Sequence, residues 1–288
     1  MTTPIDIREE AGVRTLHFGS EWIQGAMRIA RPWNLELEYT REMMASLLLR
    51  EGGRRAAGLR QDRPQGECLT AYPLRVHPPA YSSRVLRDDA RWPRKVLLIG
   101  LGAASLTKFL YRNLPLAHLT VVEIEPAVVA AARQFFKLPE DPRRINLVIG
   151  DGAEYVSNNE KKFDLILVDG FDENASPGAL DTLPFYQACR ARLSDDGVMA
   201  VNLLGRGRGF DESLMRIGAA FDDRALVFPS CESGNAIAFA AGGNPVEISF
   251  DDLRESALAL KKETGLNLLP TITRLEQSHS CTGGLLKL

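Results

Sequence analysis

Four apolar segments in the middle of the chain each end in glycine or a carboxylate, and this succession limits the fold more than any other feature. Residues 96–99 lead to Gly100, residues 119–122 to Glu123, residues 147–149 to Gly150-Asp151, and residues 165–168 to Asp169. Short, continuous apolar runs are typical of strands that are buried on both faces of a parallel sheet. Because the carboxyl ends of parallel strands lie along one edge, these polar residues are expected together, where open α/β sheets bind ligands.

Strand and helix patterns alternate from about residue 94 onward, which favours a parallel sheet with helices on both faces. Helices are predicted at residues 104–113, 126–136, 151–158, 183–193 and 211–221. A turn at 194–197 is predicted to lead into a strand at 198–202, followed by strands at 225–228 and 236–240 and a helix at 250–264 capped by Ser249. The predicted fold class is α/β, a Rossmann-like, mostly parallel sheet with an antiparallel edge formed by the two late strands.

The chain before this sheet divides into two contrasting parts. Residues 13 to about 30 alternate apolar and polar side chains and predict a small N-terminal β-module, followed by a helical pattern at 39–49. Residues 51–94 are rich in Gly, Arg and Pro. They show neither the two-residue period of a strand nor the 3.6-residue period of a helix, which predicts an irregular insertion or linker. We divide the chain into the N-terminal module with its helix (1–50), the insertion (51–94), a Rossmann-like nucleoside-binding catalytic domain (95–265) and a C-terminal tail with little pattern (266–288).

The composition excludes several kinds of protein. A net charge of −2 provides no basic surface for nucleic acid, and 45% hydrophobic residues are ordinary for a globular chain. No apolar run approaches the roughly 20 residues of a membrane-spanning helix, and the N-terminus lacks a signal-peptide pattern. Neither nucleic acid nor membrane is therefore an expected partner, and a cytoplasmic location is expected. The cysteines are far apart and form no CxxC pair, so no metal site is predicted; they are Cys68, Cys189, Cys231 and Cys281.

The turn after the first strand of the series carries two closely spaced glycines, Gly100 and Gly102. Glycine lets the backbone approach a ligand, and the helix that follows offers free N–H groups at its positive end. Glu123 ends the next strand 21 residues after Gly102, where a carboxylate can accept hydrogen bonds from a ribose diol. NAD sites and S-adenosyl sites share this combination, but Ser105 stands where the NAD fingerprint has its third glycine.

Asp151 distinguishes between these two classes of nucleoside ligand. It follows the third strand, precedes Gly152 and opens a predicted helix. A carboxylate at this place suits the exocyclic amine of adenine, which is typical of S-adenosyl sites, and it can cap the helix at the same time. We therefore assign Gly100, Gly102, Glu123, Asp151 and Gly152 to the binding of a nucleoside.

Two carboxylates follow the fourth strand, Asp169 at its end and Asp172 three residues later in an irregular loop. Beside an S-adenosyl sulfonium, this pair suits an acceptor that is a cationic amine. One carboxylate would bind and orient the ammonium and the other would accept its proton, since only the neutral amine has a lone pair for attack. The alternative is a solvated acidic loop without a chemical role.

These segments resemble the spermidine synthase-like polyamine aminopropyltransferases. The matching motifs are Val122-Glu123-Ile124-Glu125-Pro126, Gly150-Asp151-Gly152, residues 163–169, Phe185-Tyr186 and residues 193–197. By this resemblance Glu123 holds the ribose, Asp151 binds the adenine, and Asp169 is the catalytic residue that acts on the attacking amine. The resemblance also brings Gln24 near the nucleoside and gives Tyr39, together with Asp172, a role in binding the acceptor.

The resemblance implies a transferase that moves an aminopropyl group from decarboxylated S-adenosylmethionine to a diamine such as putrescine. The by-product would be 5′-methylthioadenosine. The sulfonium donor, whether decarboxylated S-adenosylmethionine or S-adenosylmethionine, would be a co-substrate, and no metal is implied. The resemblance further implies a homodimer formed through the N-terminal β-module.

Ala103 and Phe228 are among the positions that depart from the family pattern and leave alternatives open. Ala103 stands where the family has an Asp that contacts the propylamine of the donor, and Phe228 replaces an acceptor-site Tyr. A second hypothesis is therefore an S-adenosylmethionine-dependent methyltransferase, with Lys108 as a candidate cation for the donor carboxylate. A third is a non-catalytic nucleoside-binding homologue, and a fourth is an NAD oxidoreductase.

Overall fold

The computed structural model describes residues 4–50, 92–172, 176–205, 208–228, 234–277 and 284–288. Its main sheet contains seven strands: β4 (Lys95–Ile99), β5 (His118–Glu123), β6 (Ile145–Ile149), β7 (Phe163–Val168), β8 (Leu193–Leu204), β9 (Ala225–Val227) and β10 (Asn235–Ala241). Their order across the sheet is β6-β5-β4-β7-β8-β10-β9. Neighbouring strands from β6 across to β8 are parallel, whereas β10 is antiparallel to β8 and to β9. The prediction of a mostly parallel sheet with an antiparallel edge is confirmed.

Helices cover both faces of this sheet, as predicted. One face packs against α2 (Ser105–Asn113) and α3 (Pro126–Phe135), and the other against α4 (Gly152–Asn158), α5 (Leu183–Arg192) and α6 (Arg208–Phe221). Successive residues of a strand point to opposite faces, so Val96 and Leu98 of β4 belong to the first layer and Leu97 and Ile99 to the second. Each such buried aliphatic side chain stabilises the fold by about 1.5–3 kcal/mol relative to exposure. This double burial explains why the strands are continuously apolar.

The predicted N-terminal β-module is a three-stranded antiparallel sheet of β1 (Asp6–Glu10), β2 (Val13–His17) and β3 (Gly25–Arg28). It leads to α1 (Glu38–Met43), which continues as a 3₁₀ turn (Met44–Leu47). The module packs against the turn that follows β4. A Cβ added to Gly25 would lie 2.6 Å from the Cβ of Ala103, and the Ser105 hydroxyl donates to the carbonyl oxygen of Ala26 over 3.1 Å.

Two local predictions were wrong. The predicted turn at 194–197 lies inside β8, which is one strand of 12 residues and pairs with β7 through a register shift. The region after Leu266 was predicted to have little pattern, yet it contains α8 (Leu269–Gln277) and β12 (Leu285–Lys287), and β12 pairs with β11 (Glu247–Ser249). These elements are short, and contact with the core orders them: Ile272, Leu275 and Leu286 are fully buried.

Helix α7 (Phe250–Thr264) was predicted correctly, including its cap. The Ser249 hydroxyl accepts the backbone N–H of Asp252 over 3.1 Å. The predicted insertion lies outside the described residues from position 51 to position 91. Within the described ranges, every helix is too short or too polar to cross a membrane.

Candidate active site

A cavity of about 690 Å³ lies where the carboxyl ends of the parallel strands meet the N-terminal module. Strand β4 lies between β5 and β7, so the residues that follow these strands converge. The loop between β2 and β3 and the start of α1 close the opposite wall. All nine residues predicted from the sequence to form a site line this one cavity: Gln24, Tyr39, Gly100, Gly102, Glu123, Asp151, Gly152, Asp169 and Asp172.

Gly100 and Gly102 are required by the fold as well as suited to a ligand. Gly100 has a φ of +94°, and a Cβ there would lie 2.0 Å from the carbonyl oxygen of Asp169. Gly102 has a φ of +49°, and its Cβ would lie 2.8 Å from the carbonyl oxygen of Gln24. Side chains at these positions would combine backbone strain with a clash. The two glycines thus bring β7 and the N-terminal module close to the turn.

Glu123 is buried and held rigidly at the end of β5. Its Oε2 accepts the backbone N–H of Leu101 over 2.9 Å, and its Oε1 accepts that of Glu125 over 3.0 Å. Burial raises the pKa of the Glu123 carboxyl above its ordinary value, while the surrounding backbone N–H groups act in the opposite direction. Each oxygen has a second lone pair, so the carboxylate can accept two further donors such as the hydroxyls of a diol.

Asp151 is the N-cap of α4. Its Oδ1 accepts the backbone N–H groups of Ala153 at 2.7 Å and Glu154 at 3.0 Å. The capping role that the sequence predicts for Asp151 is therefore present, and it fixes the carboxyl group in the cavity wall. Gly152 lies against β4, since an added Cβ would be 2.4 Å from Cγ2 of Ile99. A larger residue at that position would push α4 away from the sheet.

Asp169 has a hydrogen-bond donor on each of its carboxylate oxygens. The Tyr39 hydroxyl donates to Oδ2 over 3.2 Å, and the Asn202 side-chain amide donates to Oδ1 over 2.9 Å. Burial raises the pKa of the Asp169 carboxyl, whereas the hydrogen bonds from Asn202 and Tyr39 lower it. A carboxylate in this setting is oriented by its neighbours and is a stronger base than an exposed one.

Asp172 lies at the exposed rim of the cavity, beyond Asp169. Its Oδ1 accepts the backbone N–H of Ser176 over 2.8 Å, so the carboxylate is tied to its own loop. The side-chain amide of Gln24 is 3.5 Å from the carbonyl oxygen of Asp172. This contact is a direct link between the N-terminal module and the loop that carries the second acid.

The cavity is strongly acidic. Among the described lining residues there are seven carboxylates and no Lys, Arg or His side chain; the carboxylates are Glu21, Glu38, Glu123, Glu125, Asp151, Asp169 and Asp172. Two at the rim have arginine partners from outside the cavity, Glu21 with Arg8 at 2.8 Å and Glu38 with Arg274 at 3.1 Å. Clefts lined by one sign of charge attract ligands of the opposite sign. The arrangement therefore favours a cationic ligand.

Sequence reasoning missed two polar residues of the wall, Asn202 near the end of β8 and Asn235 at the start of β10. Asn202 is 4% exposed and contacts Asp169 directly. The Asn235 side-chain amide donates to the Oδ1 of Asn202 over 2.9 Å. The available signal was the presence of one polar residue in the otherwise apolar run at 198–204.

The three residues on which the alternative hypotheses rest lie outside the cavity. Ala103 is buried beneath Gly25, and Phe228 is buried against Phe239 with a ring separation of 4.7 Å. Lys108 is also buried, and its ammonium donates to the carbonyl oxygen of Phe136 over 2.9 Å. Burial lowers the pKa of Lys108 to about 8. None of the three lines the cavity, so Lys108 is not available to pair with a donor carboxylate.

Comparison with known proteins gives a consistent result. The family model described as the spermine/spermidine synthase domain matches residues 67–202. The polyamine aminopropyltransferase of Chromobacterium violaceum is 32% identical over 97% of this chain and 92% of its own length. The enzyme of the same name from Neisseria meningitidis is 30% identical over 97% of this chain and 91% of its own length.

Solved structures share the fold. A spermidine synthase in complex with the transition-state analogue AdoDATO superposes with a TM-score of 0.58 at 21% identity, covering 94% of this chain and 84% of its own. Human methyltransferase-like protein 13 in complex with SAH superposes with a TM-score of 0.61 at 23% identity, covering 80% of this chain and 93% of its own. The relatives of similar length and the match to the family model show that this chain belongs to the spermidine synthase family of polyamine aminopropyltransferases.

Proposed function

We propose that this protein transfers an aminopropyl group from decarboxylated S-adenosylmethionine to a diamine such as putrescine. The observation that carries this proposal is the charge of the cavity, which has seven carboxylates and no cationic side chain among its described lining residues. Both reactants are cations: the donor bears a sulfonium and an ammonium, and the acceptor bears ammonium groups. The relatives named polyamine aminopropyltransferase provide independent support.

The nucleoside of the donor is assigned to the end of the cavity formed by β5 and β6. Glu123 accepts the backbone N–H groups of Leu101 and Glu125, one on each oxygen, and the second lone pair of each oxygen is assigned to the ribose hydroxyls. Asp151 is the polar group for the adenine amine, with its Oδ1 occupied by the helix cap. Gly100 and Gly102 leave the turn without side chains, so the ligand can approach the backbone.

The acceptor amine is assigned to the side of Asp169, Asp172 and Tyr39. An alkyl ammonium has no lone pair, so it must lose a proton before it attacks. Asp169 accepts that proton, and the raised pKa of its carboxyl, caused by burial, improves it as a base. Asp172 holds the positive charge of the amine at the rim, and the Tyr39 hydroxyl keeps Asp169 oriented.

The reaction is a displacement at the carbon of the aminopropyl group that is bonded to sulfur. The amine lone pair forms the C–N bond while the C–S bond breaks, and the electron pair of the C–S bond stays on sulfur. The products are neutral 5′-methylthioadenosine and the longer polyamine, and the proton released from nitrogen passes to Asp169 and then to solvent. The protein's contribution is to place the two reactants in line and to bind their charges.

A methyltransferase using the complete S-adenosylmethionine is supported less well. Its donor carries an additional carboxylate, which would enter a cavity already lined by carboxylates. The one cation considered for it, Lys108, is buried and bonded to Phe136. Placing like charges together without a counter-ion costs binding energy.

Product analysis tests the proposal. We expect decarboxylated S-adenosylmethionine and putrescine to yield 5′-methylthioadenosine and one equivalent of the longer polyamine. Asp169→Asn is the matched control, since it should bind 5′-methylthioadenosine like the wild type while its kcat falls by about 10²–10⁴. Release of S-adenosylhomocysteine from the full donor would establish a methyltransferase instead. Nucleoside binding without turnover across a panel of diamines and polyamines would establish a non-catalytic homologue.

A further inference from the structure

We propose that Asn202 and Asn235 form a two-amide relay that holds the Asp169 carboxylate as a hydrogen-bond acceptor, and that Asn235 is a positioning residue acting through Asn202. The contacts form one continuous chain. The Asn235 amide nitrogen donates to Asn202 Oδ1 over 2.9 Å, and the Asn202 amide nitrogen donates to Asp169 Oδ1 over 2.9 Å. The proposal deepens the proposed function, and its kinetic test rests on that function.

The relay has a fixed direction. An ionised carboxylate only accepts hydrogen bonds, so Asn202 must turn its NH₂ group toward Asp169. Its Oδ1 then faces away and needs a donor, which Asn235 supplies. If Asn202 were reversed, its oxygen would face the carboxylate and its NH₂ group would face that of Asn235. In the orientation that it has in the structure, with its NH₂ group toward Asn202, Asn235 therefore favours the orientation of Asn202 that suits an ionised Asp169.

The position of the relay makes its orientation matter. Asn202 is buried on β8, one strand from Asp169 at the end of β7, and Asn235 starts the antiparallel neighbour β10. Asn235 and Leu204 are register partners on these two strands, so the backbone pairing fixes the distance across the relay. Hydrogen bonds in a partly dry site are stronger than in water, and an unsatisfied group costs more.

The relay also counters the electrostatics of the cavity. Among the described lining residues, the titratable groups that share the cavity with Asp169 are the Tyr39 hydroxyl on α1 and the carboxylates at positions 21, 38, 123, 125, 151 and 172. All of these carboxylates disfavour a further negative charge, and so does burial. Within the part of the chain that the structure describes, Tyr39 and Asn202 are the two side chains that donate to Asp169. Loss of the Asn202 donor is therefore expected to make Asp169 harder to ionise.

Two variants of Asn235 with nearly unchanged size test the relay. Asn235→Leu removes the donor, and Asn235→Asp replaces it with an acceptor that favours the reversed Asn202. Asn244→Leu is the matched control, because Asn244 is an exposed residue outside the cavity whose side chain contacts Asp196. Melting curves and the affinity for 5′-methylthioadenosine establish that each variant is folded and still binds the nucleoside.

The readout is the ratio of wild-type to variant kcat/KM for the acceptor between pH 6 and pH 9. Titration of the amine is common to both enzymes and cancels in this ratio. For Asn235→Leu we expect this ratio to be above one at pH 6 and to fall to within about twofold of one at pH 9, and for Asn235→Asp we expect a larger ratio than for Asn235→Leu. Asn244→Leu should give a ratio near one throughout. A ratio that stays constant with pH, or activity equal to wild type, would overturn the relay.

A direct titration separates this proposal from the proposed function. The ¹³C resonance of the Asp169 carboxyl, assigned by its loss in Asp169→Asn, reports ionisation without any turnover. We expect the pKa of Asp169 to be higher in Asn235→Leu than in the wild type, and an unchanged pKa contradicts the relay. If the wild type transfers no aminopropyl group, the proposed function fails while this titration still decides the relay.

Discussion

Replacing Glu123 with glutamine tests the part of the cavity that we propose binds the nucleoside. Both carboxylate oxygens already accept a backbone N–H, one from Leu101 and one from Glu125. Glutamine keeps one acceptor oxygen, and its NH₂ group must face a backbone N–H at the other position. The variant therefore has one acceptor fewer for the ribose diol, and the acceptor that remains carries no negative charge.

The expected loss of nucleoside affinity follows from these lost contacts. A hydrogen bond to a charged group contributes about 1.5–3 kcal/mol, which corresponds to a change of about 10- to 150-fold in Kd. The cost to folding should be small, on the order of 1 kcal/mol. Burial raises the pKa of the folded Glu123 carboxyl, so ionisation lowers stability as the pH rises through that folded pKa. Glutamine avoids this penalty, which offsets its lost backbone hydrogen bond.

Calorimetric titration with 5′-methylthioadenosine measures the effect. We expect the Kd of Glu123→Gln to rise by about 10- to 150-fold. For the wild type, the affinity should weaken on acidification at a higher pH than an ordinary glutamate would require. Glu140→Gln is the control, since Glu140 is exposed and contacts only Arg133, at 3.8 Å, among its described ion pairs. Affinity of Glu123→Gln within twofold of wild type would refute the assignment of Glu123 to the ribose.

Other substitutions test how the fold supports the site. Gly100→Ala should destabilise the protein by more than about 2 kcal/mol in urea unfolding, because of its positive φ and the contact with Asp169. The control is Gly209→Ala in α6, which should be neutral or stabilising, because no atom of the described residues lies within 4 Å of its added Cβ. Equal effects of the two substitutions would contradict this reasoning. Arg274→Met removes the ion-pair partner of the buried Glu42 and should cost about 3 kcal/mol. Adding Glu42→Gln should recover part of this loss, and a single Arg274→Met variant as stable as wild type would show that the pair has no structural role.

The fold could be predicted because its signals are local and repeated. Buried parallel strands such as 96–99 and 165–168 must be apolar on both faces, and their ends are punctuated by Gly100 and Asp169. The same rule brings Glu123 and Asp151 to the cavity, since parallel strands share one edge. In contrast, the start of β8 was predicted wrongly because the Asp-Asp-Gly sequence at 195–197 resembles a turn. In the structure these residues stay within the strand, and the pairing of β8 with β7 contains a register shift.

Contacts between distant segments could not be predicted from these patterns. The Asn202–Asn235 contact joins residues 33 positions apart, and nothing in the spacing of two asparagines indicates it. The link from Arg274 on α8 to Glu38 and Glu42 on α1 spans almost the whole chain. Ala103 was interpreted from the sequence as a lost ligand contact, whereas the structure packs it against the position of Gly25. Such relationships depend on tertiary packing, which a single sequence does not encode locally.

The most direct test of this account is calorimetric comparison of the two sulfonium donors under identical conditions. The central claim is that a cavity lined by carboxylates, without a cationic side chain among its described lining residues, selects a donor that carries positive charge and no carboxylate. We predict that decarboxylated S-adenosylmethionine binds at least about tenfold more tightly than S-adenosylmethionine, a difference of about 1.4 kcal/mol. Equal affinity, or a preference for the carboxylated donor, would contradict the claim.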